Sequence, residues 1–154
     1  MLERFSRPAR DAVKRARDLA AADGAGTVEA EHILLALTQQ ADRPTARALD
    51  DLGMSEAAVR SALAEELTDA LQLVGVAVTV APRPPSRPGR STPRWGQSAK
   101  LALKRAVQVA IDRGHKRIDD RHLLLALGQA EAGVVPRVLR MLDVTPSDID
   151  AALG

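Results

Sequence analysis

The sequence contains no cysteine and no tyrosine, and only one phenylalanine, Phe5, and one tryptophan, Trp95. Without cysteine there can be no disulfide and no thiolate chemistry, which fits a reducing compartment. With so few aromatic rings, the core must be built from Leu, Val, Ile and Ala, and the weight of Ala and Leu favours helix. No apolar run approaches the ~20 residues a membrane span needs. The N-terminus, MLERFSRPAR, puts charges where a secretory signal needs its apolar stretch. These absences predict a cytoplasmic, all-α protein. At 154 residues, the chain is long enough for one domain or two small ones, burying roughly 68–70% of the surface its unfolded form exposes.

Charge is unevenly placed. Residues 1–75 hold 9 Lys and Arg against 13 Asp and Glu, residues 76–94 hold four Arg and no acid, and residues 95–154 hold 9 against 7. The middle segment contains APRPPSRPGRSTPR, whose prolines remove amide donors and push their predecessors out of helix. It reads as an extended tether between residues 1–75 and residues 95–154.

The two flanking parts are copies of one another. EHILLAL, Glu31 to Leu37, returns as RHLLLAL, Arg121 to Leu127, and the offset of 90 then aligns residues 9–63 with 99–153 without a gap, 18 of the 55 pairs being identical. Gly24 pairs with Gly114, His32 with His122, and even the aromatics obey the offset, Phe5 with Trp95. This is an internal duplication. Each copy resolves into four helices. In the first copy they run from Arg7 to Ala22 with Ser6 as N-cap, from Glu29 to Gln40, from Pro44 to Leu52 closed by Gly53, and onward from the cap Ser55. In the second they begin near Gln97, Asp119, Val134 and Thr145. The expected architecture is eight helices in two pseudo-symmetric four-helix repeats joined by the Pro/Arg-rich linker. The segment VAVTV, residues 76–80, favours strand locally but has no evident partner, so it is read as extended linker or a helix end.

These features in register, with the third helices ARALDDLG and PRVLRMLDV and the RGH at 113–115, resemble the double N-terminal domain of the ClpA/ClpC-type AAA+ unfoldases, most of all the ClpC branch. The resemblance covers Met1 to Leu153. It implies a non-catalytic module that recognises protein substrates or adaptors for a Clp unfoldase and protease, without a cofactor. None of the ten glycines is followed by lysine, so no Walker A loop is present to cradle ATP phosphates. No nucleophile elbow appears either. The resemblance leaves two readings open: the N-terminal part of a larger unfoldase, or a stand-alone relative acting as a decoy or regulator. The discriminating observation is whether the natural gene runs on past Gly154 into a Walker A segment. An isolated domain of this kind is expected to be monomeric.

Candidate sites follow from the duplicated helix. Its leucines read as core, and His32 and His122 as buried neutral imidazoles; neither has clustered partners for a metal. Glu31 meets the positive end of a helix dipole and is favourable there on structural grounds alone. In ClpC relatives the corresponding motif is Thr-Glu-His, and the resemblance implies a pocket in which Glu receives the guanidinium of a phosphorylated arginine while the helix end accommodates phosphate. The first copy has Ala30-Glu31-His32, lacking the hydroxyl. The second has Asp120-Arg121-His122, where Arg121 repels a guanidinium. At most one phosphoarginine-type pocket is therefore expected, formed by Ala30, Glu31 and His32, with Asp119 or Asp120 capping the second helix. A second candidate surface is Leu2, Phe5 and Trp95, where the family docks adaptors and cyclic-peptide antibiotics. Alternatively, the two aromatics only fill the gap between the repeats. Nucleic-acid binding through Arg83, Arg87, Arg90 and Arg94 has little support, because the rest of the chain nets −2 by the counts above (18 basic against 20 acidic residues) and no aromatics are interleaved.

Overall fold

A computed structural model describes residues 2–82 and 92–154. The first helix, α1 (Arg7–Ala22), starts where Ser6 Oγ accepts the Ala9 amide at 3.3 Å, with a proline in its first turn. Its buried face is Ala9, Ala12, Val13, Ala16, Leu19 and Ala20, the 3–4 spacing of an amphipathic helix. Next come β1 (Thr27–Val28), α2 (Ala30–Thr38), α3 (Pro44–Asp51) and α4 (Glu56–Leu73). The second copy supplies β2 (Arg94–Trp95), α5 (Gln97–Asp112), α6 (Asp120–Gly128), α7 (Val134–Met141) and α8 (Pro146–Leu153). The eight expected helices are all present, with ends shifted by a residue or two. The duplication extends to backbone conformation. After α3 and α7, Gly53 and its counterpart Asp143 both take positive φ, 75° and 56°, and Asp is one of the few side chains that tolerate this.

The copies do not form separate bundles. Helix α3 packs on α8 and α4 on α7, and buried residues from both copies join one continuous core. At its centre lie α2 and α6. Helix α2 touches α1, α3, α4, α5, α6 and α7, so past its first turn it is covered nearly all round, and His32 to Leu37 are all buried. That is why the leucine-rich heptapeptide is written twice: each fully buried leucine contributes about 1.5–3 kcal/mol, and both copies of the helix are enclosed.

The entry to each copy is stitched to the other copy. Strands β1 and β2 pair in parallel, Thr27 with Arg94 and Val28 with Trp95. The same arrangement recurs at the 90-residue offset as a bridge between Phe5 and Ile118. Amides close both: Gly96 N–H donates to Val28 O at 2.8 Å, and Ser6 N–H to Ile118 O at 2.8 Å. Side chains repeat the stitch. Ser6 Oγ donates to Asp119 Oδ1 at 2.6 Å, while Ser98 donates its amide and hydroxyl to Glu29 and its Oγ accepts the Ala30 amide at 2.8 Å. At Gly96 a Cβ would run into the Glu29 carboxylate, so a larger residue there must push that side chain aside.

The expected linker, 76–94, ends earlier than its proline content suggested. Residues 76–80 belong to no helix and have no ladder partner among the described residues; the Val80 amide ties them back to α4 by donating to Thr68 Oγ1 at 2.9 Å. Arg94, however, already belongs to β2. Arg83, Arg87 and Arg90 lie outside the described residues. Among the described residues, no helix is long and apolar enough to cross a membrane.

Candidate functional site

The N-terminal turn of α2 is assembled from both copies. His32 is buried, and its Nδ1 accepts the Glu29 amide at 2.9 Å. This places the imidazole proton on Nε2 and lets His32 fill the role that Glu or Gln plays in a capping box. Burial pushes its pKa below the ordinary histidine value. The second copy repeats this: Asp119 N–H donates to His122 Nδ1 at 2.8 Å, and burial likewise lowers His122. With Nδ1 so occupied, His122 Nε2–H donates to His115 Nδ1 at 2.7 Å. Both histidines are thus the buried neutral imidazoles the sequence suggested, each bonded within its own repeat. The spacings Glu29-x-x-His32 and Asp119-x-x-His122 were the signal for these caps. Among the described residues, no group of three or more His, Asp or Glu could hold a metal ion.

Glu31 sits half-buried between two cavities. On one side, a cavity of about 360 Å³ is bounded by α4 residues including Arg60 and Glu66, with His32 at its edge. On the other, a cavity of about 460 Å³ lies among the N-termini of α2 and α7 and the flank of α5; its charged lining is Glu29, Glu31, Arg105, Glu131 and Arg137. Burial, with Glu29 and Glu66 adding repulsion, raises the Glu31 carboxyl above the usual carboxylate range. Arg137, whose Nε donates to Glu66 Oε1 at 2.7 Å, partly compensates it. Ala30 is buried with its amide already taken by Ser98, so it contributes wall rather than a donor.

The second copy is arranged differently. Arg121, in the place of Glu31, points to solvent. Asp119 stands at the N-cap position, but Asp120 does more than begin the helix: it is 1% exposed and gripped by Arg43, Nε to Oδ2 at 3.1 Å and Nη2 to Oδ1 at 3.0 Å. Arg43 Nη2 also reaches Asp119 Oδ2 at 3.4 Å. Sequence reasoning missed Arg43, which lies 77 residues from Asp120 and in no recognisable motif.

A third feature lies between α1 and α5. Leu2, Val13, Trp95 and Leu103 line an apolar groove of about 780 Å³, edged by Lys14, Arg17, Asp18 and Lys100. The Trp95 ring is partly exposed, with the Arg17 guanidinium 5.1 Å from its centroid. Leu2 and Trp95 thus line the same groove. Phe5 does not join them: it is 2% exposed and sits in the core beside the Ile118 bridge. The expectation that Phe5 offers a docking surface is corrected. Its position in the chain duplicates that of Trp95, but it presents nothing to a partner.

Residues 4–85 and 94–154 match the family described as the Clp repeat (R) N-terminal domain. The chain is 28% identical over 145 residues to the chaperone protein ClpB of Oceanobacillus iheyensis, covering 94% of this chain and 16% of that protein. It is 29% identical over 149 residues to the chloroplastic chaperone protein ClpC2 of Oryza sativa subsp. japonica, covering 97% and 15%. The chain thus spans less than a fifth of the length of these curated relatives. Its fold is similar to that of the N-terminal domain of the caseinolytic protease associated chaperone ClpD from Arabidopsis thaliana, with a TM-score of 0.70 at 20% identity, covering 99% of this chain and 94% of that one.

Proposed function

This chain belongs to the Clp repeat N-terminal domain family, and on that premise we propose that it is a non-catalytic module that captures protein substrates or adaptors for a Clp-type unfoldase. The observation that carries the reading is the groove between α1 and α5. Its floor is apolar, its rim is mostly basic, and Trp95 forms one wall with a ring still partly open to solvent. Partly buried Trp beside a cationic rim is the composition of an interaction hot spot. The groove suits a peptide segment, linear or cyclic, that presents apolar side chains flanked by acids.

Because Trp95 is the only tryptophan and there is no tyrosine, intrinsic fluorescence reports on this groove alone. Titration with an apolar, acid-flanked peptide is expected to shift the emission saturably. The shift should disappear on Leu103→Glu, which charges the floor. An emission unchanged by such peptides, or binding that survives Leu103→Glu, would refute the assignment.

The cavities beside Glu31 support a narrower ligand. A guanidinium placed against Glu31 would compensate a carboxylate that burial now disfavours, and Arg105 and Arg137 on the same wall suit an accompanying phosphate. Phosphoarginine on a client protein carries both groups. Calorimetric titration with phosphoarginine, and with arginine as control, is expected to give one site that is lost in Glu31→Ala. Two sites in the unmodified chain, or none, would overturn it.

A further inference from the structure

The 90-residue offset that relates the copies pairs Arg43 with Gly133. Each residue precedes its own helix, α3 or α7, at the N-cap position. In the first copy's site Gly133 has no side chain, and the cavity of about 460 Å³ beside Glu29 and Glu31 stays open. In the second copy's site the matching residue is an arginine, and its guanidinium lies against the N-terminal turn of α6. There Asp120 receives it with both oxygens, at 3.0 and 3.1 Å, and Asp119 more loosely with both of its own, at 3.4 and 3.5 Å. A two-oxygen fork facing Nε and Nη2 is guanidinium geometry, which an ammonium cannot reproduce.

Two further details set this apart from an ordinary surface ion pair. Asp120 is 1% exposed, and its Oδ1 also accepts the Arg121 amide at 3.0 Å, so the carboxylate is fixed before the cation arrives. The site also holds two carboxylates for one cation. Asp119 is fixed independently by the 2.6 Å bond from Ser6 Oγ.

We infer that the Asp119–Asp120 turn is a guanidinium-binding site closed by the chain's own Arg43, the counterpart of the open cavity beside Glu31. An arginine side chain from another protein can enter only by displacing Arg43. The unaltered chain therefore presents one open cavity of this kind rather than two. The inference does not depend on what binds beside Glu31.

Replacing Arg43 with glycine gives the second copy the residue the first already has. In the 154-residue chain, Arg43→Gly is expected to lower the thermal midpoint, and N-ethylguanidinium at millimolar concentration to restore it saturably. Ethylammonium, which cannot fork, is expected to need about tenfold more, the worth of one charge-assisted hydrogen bond. In parallel, the backbone amide resonances of Asp119, Asp120 and Arg121 should move with N-ethylguanidinium in Arg43→Gly, and in Arg43→Ala, but not in the unaltered chain. Adding Asp120→Asn should abolish the response. If Arg43→Gly does not fold alone, recovery of folding by N-ethylguanidinium supports the proposal and failure to recover counts against it. Equal responses to the two cations, or movement of the same amides in the unaltered chain, would overturn it.

Discussion

Phe5 and Trp95 occupy one position in the duplicated sequence, yet they should respond to truncation in opposite ways. Phe5 is 2% exposed, and its backbone bridges Ile118. Phe5→Ala removes a whole ring from a closed core, which costs about 3–5 kcal/mol. Against a total stability of about 5–15 kcal/mol, that is a large share. At about 2–4 °C per kcal/mol for a chain of this size, the midpoint should fall by roughly 6–20 °C. Trp95 keeps part of its ring in solvent and its main specific contact is with Arg17, so Trp95→Ala should cost about 1–2 kcal/mol. Urea unfolding followed by circular dichroism measures both, because Trp95→Ala removes the fluorophore. Binding is followed by anisotropy of a labelled apolar, acid-flanked peptide. Trp95→Ala should abolish binding with the fold intact, whereas Phe5→Ala should bind normally wherever it is still folded. Equal stability losses, or a stable Phe5→Ala that fails to bind, would refute the distinction between core and groove.

Acid should destabilise the fold through two histidines. Burial holds His32 and His122 below the ordinary histidine pKa, so between those values the unfolded chain binds more protons. Their contribution is complete above about pH 6.5 and is lost as pH falls through the depressed folded values. Thermal midpoints from pH 7.5 to 5 should decline, and His32→Gln should flatten the curve. Glu31 acts with the opposite sign: its raised carboxyl favours the protonated folded state, so Glu31→Gln should raise the midpoint at pH 7 while removing phosphoarginine binding, both measurable on one sample. Gly96→Ala should destabilise by about 1–3 kcal/mol because its Cβ displaces Glu29 from Ser98. In a Glu29→Ala background the same change should become neutral or stabilising, since φ at Gly96 is −79° and alanine stiffens the unfolded chain.

The helices were legible because their signals are local. Ser6 and Ser55 announced caps, and Gly53 announced an end. The leucines of 33–37 and the burial of His32 followed from the duplicated helix. What joins the copies was not legible. A two-residue strand such as Thr27–Val28 has no periodicity to detect, and its partner, Arg94–Trp95, followed a proline-rich stretch that argued for linker. The fork from Arg43 to Asp120 depends on how α3 and α6 are brought together, which no neighbouring residue encodes. For Phe5 and Trp95 the offset was read correctly as equivalence of position. Equivalence of environment does not follow, because only one of the two ends beside an open groove.

The parallel stitch between β1 and β2 also bears on the order of events during synthesis. At about 5–20 residues per second, the first copy leaves the ribosome several seconds before β2, α7 and α8 exist. Until β2 and α5 follow, Val28 has no strand to pair with and Glu29 has no Ser98, and until α7 and α8 follow, the faces of α4 and α3 that they will cover remain bare. The nascent half is therefore an unfinished core, sticky and short of partners, until the last helix emerges.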